Sequence, residues 1–450
     1  MNLVVVGAGK VGETLIKSFL KEKHDITVID MDAAAVTNVV NRFDVRGIVG
    51  SGLERDALVE ADVESADFFI ACTSRDETNI LSCVLSRKLG AKCTVARVRD
   101  PEYFKEVNNI KQMLGLDYAF NPELATALEI SQRLKFPSAT SVESFVENQV
   151  AMVELEIEEG NPIAEMSLKD VSKEYGGKVL ISVVQRDKEC FIPGGDFVIK
   201  VGDCVHVISS DAEINAFCKK LKIYKRRAKN VFIIGGGKIA YYLAKELTDV
   251  SVNVKIVEKD KERAQELAGL LPKATVLLGD GTDQTFLDEE NMRGSDAFVT
   301  LTGMDEENVI ISLYAKQKGI SKVVTKVDRT AIVSMVEKLG LDAVVSPKDI
   351  IANHIVSFVR AHQAETGSGI NTLYKLHNKV EALEFTVQQD FVKQGIPLKA
   401  INLRKNVLIG GIVRGKEYIL PKGDSVLVAG DRVIVVSASK QITELEQILK

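Results

Sequence analysis

Short β-branched and apolar runs alternate along this chain with longer stretches whose apolar residues recur every three or four positions. In the first third the runs fall near 2–6, 26–30, 47–49, 67–72, 93–97 and 118–120 and read as strands. Helical periodicity lies between or after them, near 10–23, 54–62, 76–90, 101–114 and 122–135. Strand and helix in strict alternation predict a parallel sheet with right-handed crossovers: an α/β, doubly wound Rossmann domain. The pattern then changes. "AMVELEIE" (151–158) alternates apolar and polar, "GKVLISVVQR" and "DCVHVIS" follow, and Gly202–Asp203 marks a turn. These signals predict a compact α+β module of about 75 residues.

Both parts occur twice. "VVVGAGKVGETL" (4–15) returns as "VFIIGGGKIAYYL" (231–243), and Gly7, Gly9 and Gly12 answer to Gly235, Gly237 and Ala240 at an offset of 228. "TSRDETNI" (73–80) answers to "TGMDEENVI" (302–310), and "FNPELATALEI" (120–130) to "VSPKDIIANHI" (345–355). "FIPGGDFVIKVGDCVHVI" answers to "ILPKGDSVLVAGDRVIVV". A long internal repeat outranks any single motif as an organising signal. It predicts a tandem duplication, with Rossmann domains at 1–138 and 228–365 and small α+β domains at 139–222 and 368–450.

Composition narrows the function. An apolar fraction of 46% and a charged fraction of 27% suit an ordinary globular protein. A net charge of −5 gives no footprint for nucleic acid as main partner, and no apolar run approaches the ~18–20 residues of a membrane span. The N-terminus lacks the basic flank and cleavage site of a signal peptide. The six cysteines form no C-x-x-C pair, several sit in apolar runs, and no histidine has a second ligand at metal spacing, so neither a metal site nor a disulfide framework is expected. The basic stretch "KKLKIYKRRAK" (219–229) reads as a solvated linker.

The chemistry lies in the glycine loops. G-x-G-x-x-G here follows a strand, opens a helix, and is followed 18 residues after Gly12 by Asp30 at the end of the next strand. Gly7 permits the tight turn, Gly9 lets backbone approach a diphosphate, and Gly12 lets helix and strand pack closely. The free N–H groups of the helix start attract phosphate. Asp30 is placed to accept the adenosine ribose hydroxyls and disfavours a 2′-phosphate, which points to NAD(H) rather than NADP. Glu258 holds that place in the second half. Lys10 and Lys238 share a loop slot within reach of phosphate. The loops Gly50–Ser51–Gly52 and Gly279–Asp280–Gly281 could border the adenine. Thr73, Ser74 and Thr302 stand at the carboxyl end of the fourth strand, where ligands of open sheets collect. Thr73 with Asp76, and Thr302 with Asp305, also have capping-box spacing. Arg97 could hold a phosphate bidentately, whereas its counterpart Lys326 offers a point charge, so the two sites should differ in ligand or affinity.

A dehydrogenase would need a second domain bringing a proton donor or metal to the nicotinamide. His206 and His377 are the lone histidines of their small domains and do not correspond, and duplicated chemistry would duplicate its acid. No catalytic residue is assigned, and a nucleotide sensor is expected; an NAD-dependent oxidoreductase of unknown substrate is the alternative.

Taken together, "GAGKVG" with Asp30, "TSRDETN", "ARVRDPEY", "GGGKIA" with Glu258, "GDGTD" and the paired "PGGD…VGD" and "PKGD…AGD" endings resemble the TrkA family over essentially the whole chain. These are cytosolic regulatory subunits of Trk-type potassium uptake, built of tandem regulator-of-potassium-conductance (RCK) domains. The resemblance implies a homotetrameric, peripheral protein on the inner face of the cell membrane, docked on a potassium-translocating membrane subunit. NAD(H), and ATP or ADP, would gate that subunit. Gly7, Ala8, Gly9, Lys10 and Val11 with Asp30, Thr73, Ser74 and Arg97 would form the first site. Gly235, Gly236, Gly237, Lys238 and Ile239 with Glu258 would form the second. In such proteins the helices of "NPELATALEISQRL" and "SPKDIIANHIVSFV" cross between nucleotide domains; each reads equally well as an ordinary core helix.

Overall fold

A computed structural model describes the chain except residues 176, 177, 188, 225, 226, 330, 331, 334, 337, 338, 342, 363–369, 377, 378 and 439–441. The predicted His377, the domain limits 365 and 368, and Lys225 and Arg226 of the basic stretch lie outside the described residues. That stretch begins inside a helix, Asp211–Lys220, so Lys219 and Lys220 complement its C-terminal dipole before any linker starts.

The first sheet is built of β1 (Asn2–Val6), β2 (Asp25–Asp30), β3 (Arg46–Val49), β4 (Phe68–Ala71), β5 (Thr94–Arg97) and β6 (Tyr118–Phe120). All pairings are parallel, in the order β3-β2-β1-β4-β5-β6. Both faces are buried, which is why its strands are almost wholly apolar. Leu3 and Val5 of β1 face one layer with Phe19, while Val4 and Val6 face another with Leu58 and Phe69. After β3 the chain returns to the other side of β1, so the ends of β1 and β4 flank a switch point, the usual ligand crevice of open sheets. One helix is not among the elements expected from the sequence: Ala33–Arg42, capped by Asp32, whose carboxylate accepts from the amides of Ala34 and Ala35.

The first small module folds as an antiparallel sheet of β7 (Ser141–Phe145), β8 (Val150–Glu156), β9 (Leu180–Arg186), β10 (Glu189–Phe191) and β11 (Cys204–Ser209), ordered β10-β9-β11-β8-β7. The second half repeats both designs. β12 (Asn230–Ile234), β13 (Asn253–Glu258), β14 (Thr275–Leu278), β15 (Ala297–Thr300), β16 (Lys322–Lys326) and β17 (Ala343–Val345) form a parallel sheet ordered β14-β13-β12-β15-β16-β17. β18 (Ile370–Leu376), β19 (Val380–Thr386), β20 (Val407–Arg414), β21 (Glu417–Ile419) and β22 (Arg432–Ser437) form the last, ordered β18-β19-β22-β20-β21. The glycine–aspartate endings are structural. Asp203 is 1% exposed and takes Arg186 in a two-pronged pair at 2.8 and 2.8 Å, and Asp431 holds Arg414 in the same way at 2.8 and 2.9 Å. The two small sheets share one core, in which Met152, Val183 and Ile208 join Ala382, Val413 and Ile434.

The compact units do not coincide with the contiguous ranges expected from the sequence. One unit comprises Met1–Thr126 and Ser346–Val359; the other comprises Ala127–Val345 and Arg360–Lys450. The helix Pro347–Ala361, placed by sequence in the second Rossmann domain, thus completes the first: Ile351, Ile355, Val356 and Val359 lie in the same core as Leu3, Leu15, Phe68 and Val95. Phe358 stacks on Tyr118, with ring centroids 4.4 Å apart. Conversely, the helix Pro122–Lys135 enters the second unit at Ala127, where Arg133 donates to the Val344 carbonyl of β17 at 3.2 Å. No helix among the described residues is long and apolar enough to cross a membrane.

Candidate functional site

At the first switch point Gly7 takes a φ of +111°, a backbone conformation that L side chains rarely adopt, and its amide donates to the Ile29 carbonyl at 2.9 Å. The chain then starts the helix Lys10–Lys21, with extended Gly9 at its cap and no side chain satisfying the first amides. Nothing lies within 4 Å of where a Gly9 Cβ would stand, so this face of the loop is open to an approaching group. A Cβ on Gly12 would meet the Gly7 carbonyl oxygen at 1.8 Å, so glycine there sets the helix-to-loop distance. Asp30 is held by the loop it serves: Oδ2 accepts from the Ala8 amide at 2.6 Å and Oδ1 from the Asp32 amide at 2.9 Å. That leaves the carboxylate oriented at the β2 end beside the helix start, as ribose recognition requires. Lys10 is exposed, while Val11 packs against the core.

Across the crevice, Thr73 and Ser74 follow β4, and Ser74 is exposed. The capping-box reading is corrected. The helix Asp76–Leu89 is capped at Arg75 without a side-chain bond, and Asp76 turns inward to accept the amides of Arg99 and Asp100, both at 2.8 Å. Met304 likewise caps the helix Asp305–Gln317, and Asp305 accepts from Asp328 and Arg329. Burial opposes ionisation of Asp305, yet these amides and the Arg329 guanidinium hold its carboxyl below the usual range.

The fastening of this loop is a residue missed from sequence, Asn79, fully buried. Its Oδ1 accepts from the Thr73 amide (2.8 Å) and hydroxyl (2.7 Å), and its Nδ2 donates to the carbonyls of Thr73 (3.2 Å) and Arg97 (3.0 Å). Asn308 does the same between Thr302 and Lys326 at 2.9, 3.2 and 3.1 Å. The available signal was its place in both "DETN" and "DEEN", on the inner face of the helix.

Arg97 ends β5 with its side chain 14% exposed, and its Nε is buried without a hydrogen-bond partner. Burial pulls its pKa down, against the pull of Glu123. A buried guanidinium with an unsatisfied donor beside a glycine loop and an open helix start suits a phosphate ligand, which could accept from that fork. Below the loop, burial pushes the Cys72 thiol up to about 12, so it is a packing residue.

The second cleft keeps the frame and changes the fittings. Gly235 has a φ of +97°, and Glu258 accepts from the amides of Gly236 (2.7 Å) and Asp260 (2.8 Å). Arg263 adds a bond from Nε to the Gly236 carbonyl at 2.8 Å. Extended Gly237 caps the helix Lys238–Asp249, with Lys238 and Ile239 half-buried beyond it. Lys326, however, is turned into the protein: Nζ donates to the Thr302 carbonyl at 2.9 Å and lies 3.6 Å from Asp328. Both loops after the third strand carry the same local bond. Ser51 Oγ accepts from the Leu53 amide (3.2 Å) as Asp280 Oδ1 does from Thr282 (2.8 Å), so Ser51 reproduces the turn, though not the charge. Gly50, Gly52, Gly279 and Gly281 are packed against Ala57, Val6, Phe286 and Ile234, respectively. His206 is 2% exposed, in the core of its sheet.

Comparison with known proteins matches this architecture. The TrkA-N domain model matches residues 3–122 and 231–347, and the TrkA-C domain model residues 152–222 and 394–450. "Trk system potassium uptake protein TrkA homolog 1" of Methanosarcina mazei is 33% identical over the whole of both chains. "Trk system potassium uptake protein TrkA" of Haemophilus influenzae is 28% identical over 100% of this chain and 99% of its own. Among solved structures, the GsuK channel bound to NAD superposes with a TM-score of 0.64 at 17% identity, covering 99% of this chain and 77% of that one. The GsuK RCK domain gives 0.63 at 16%, covering 99% and 93%. At such identities the likeness is one of fold.

Proposed function

This chain belongs to the TrkA family, and from that premise we propose that it is a nucleotide-sensing regulatory subunit of a Trk-type potassium uptake system. NAD(H), with ATP or ADP as further ligands, occupies the two clefts. Occupancy shifts the conformational equilibrium of a homotetramer docked on the inner face of the cell membrane, and so gates the potassium-translocating subunit. The family assignment favours this over an oxidoreductase, and no turnover is assigned to the chain. The observation that carries the reading is the pairing of an open, uncapped helix start with a carboxylate fastened to the same loop, Asp30 on Ala8 and Glu258 on Gly236. The GsuK channel, which shares this fold, binds NAD, and that supports the choice of ligand.

Calorimetric titration of the purified chain with NADH and ATP tests it. Binding is expected, and Asp30→Ala should weaken the first site by about 10- to 100-fold, the worth of a charge-assisted hydrogen-bond pair. No heat with any adenine nucleotide would sink the proposal. Potassium flux in liposomes carrying the membrane subunit then reports gating.

A further inference from the structure

Beneath the first cleft, two guanidinium groups share one carboxylate. Glu123 Oε1 accepts from Arg99 Nε at 2.8 Å and stands 3.8 Å from Arg97 NH2, close enough for attraction but not for a hydrogen bond. Glu123 is 12% exposed on its side chain, and its Oε2 has no hydrogen-bond partner; nor have Arg97 Nε and Asp76 Oδ1 nearby. Buried polar atoms left unpaired are costly, and three on interacting side chains mark a set completed by something else. The corresponding residues of the second half are satisfied from within: Lys326 by Thr302 and Asp328, Asp305 by Asp328 and Arg329. There the repeat places Lys348 where the first half has Glu123.

Position adds the second half of the inference. Glu123 lies in the first turn of the helix Pro122–Lys135, which belongs to the first compact unit through Thr126 and to the second from Ala127. We propose that Glu123 is a displaceable counter-ion of the first cleft: a nucleotide phosphate takes Arg97 from it, and the change at the head of this shared helix reports occupancy. Glu123 is a positioning residue, acting on the ligand only through Arg97. Once a phosphate accepts from the Arg97 fork, the carboxylate keeps Arg99, and the attraction between Arg97 and the first helical turn is spent on the ligand instead. The second cleft has no such lever, so occupancy there does not reach a helix by this route.

This inference rests on nucleotide binding as proposed above, and Glu123→Gln in the full-length chain separates the two. ADP and pyrophosphate titrations read affinity, while hydrogen exchange of the segment 122–135, with and without ADP, reads the signal. Removing a competing charge should tighten ADP by about tenfold, within the usual range of site-to-site coupling. It should also abolish the ADP-dependent change in exchange seen in wild type. In an Arg97→Gln background, Glu123→Gln should alter ADP affinity by less than about twofold, since the coupling partner is gone. If wild type binds and Glu123→Gln leaves affinity unchanged or weaker, the counter-ion idea falls and the regulatory reading stands. If the exchange change survives in the variant, the relay falls. If wild type binds neither ADP nor pyrophosphate, the counter-ion idea falls; if it also binds neither NADH nor ATP, the regulatory reading falls with it.

Discussion

The two clefts were cut from one pattern and finished differently. Both turn at a positive-φ glycine, both fasten a β-strand acid to the loop, and both lock the fourth-strand loop with a buried asparagine. They part at the cation: Arg97 is left with an unpaired donor, whereas Lys326 is bonded to the protein. Duplication therefore preserved the scaffold that any adenine nucleotide needs and freed the charged groups to diverge. Affinity and signalling can then be set separately in each half, because the residues that hold the loop are not the residues proposed to meet the phosphates.

The sharpest way to break the symmetry is at the third glycine position. Gly12→Ala drives a methyl to 1.8 Å from a backbone oxygen and should cost about 3 kcal/mol or more, at the upper end of overpacking. The reverse change, Ala240→Gly, should cost only about 1 kcal/mol through helix propensity. Denaturant unfolding of the two variants side by side checks it, and equal losses would mean that the loops are interchangeable. A smaller contrast comes from the asparagines. Asn79→Ala removes four hydrogen bonds and should cost about 2–3 kcal/mol, and Asn308→Ala, with three, about 1 kcal/mol less.

The smallest concerns the small modules, where β7 places Glu143 at the register held by Tyr374 in β18. Burial, then Glu129, pushes the Glu143 carboxyl from 4.5 to about 8, against Arg133. A carboxyl raised on folding contributes stability that is complete below pH 4.5 and lost as pH climbs through 8. Glu143→Gln should flatten that slope and raise stability at the alkaline end by on the order of 1 kcal/mol. Thermal melts across the window decide it; an unaltered slope would assign the pH dependence elsewhere.

Most of this frame was legible in the sequence because apolar periodicity reports burial, and burial is what sheets and amphipathic helices share. Ala33–Arg42 was legible too and was passed over: Asp32 is a helix-capping residue, and Val36 and Val39 recur at helical spacing on one buried face. The role of Asp76 was misread because capping-box spacing describes a local bond, while its real partners are 23 and 24 residues away. The destination of the helix Pro347–Ala361 came only from the family resemblance and not from its apolar pattern, for a related reason. A 3.6-residue stripe specifies that a face will be covered and leaves open which half of the chain covers it. Glycine turns and strand-end acids were readable because their constraints are local.

That exchanged helix has a consequence for biosynthesis. As the chain leaves the ribosome, the first nucleotide domain has all six strands by Phe120, yet the surface meant for Ile351, Ile355 and Phe358 stays bare until more than 200 further residues have been translated. Through that interval the nascent domain carries an oily patch that a chaperone or a neighbouring polysome could seize.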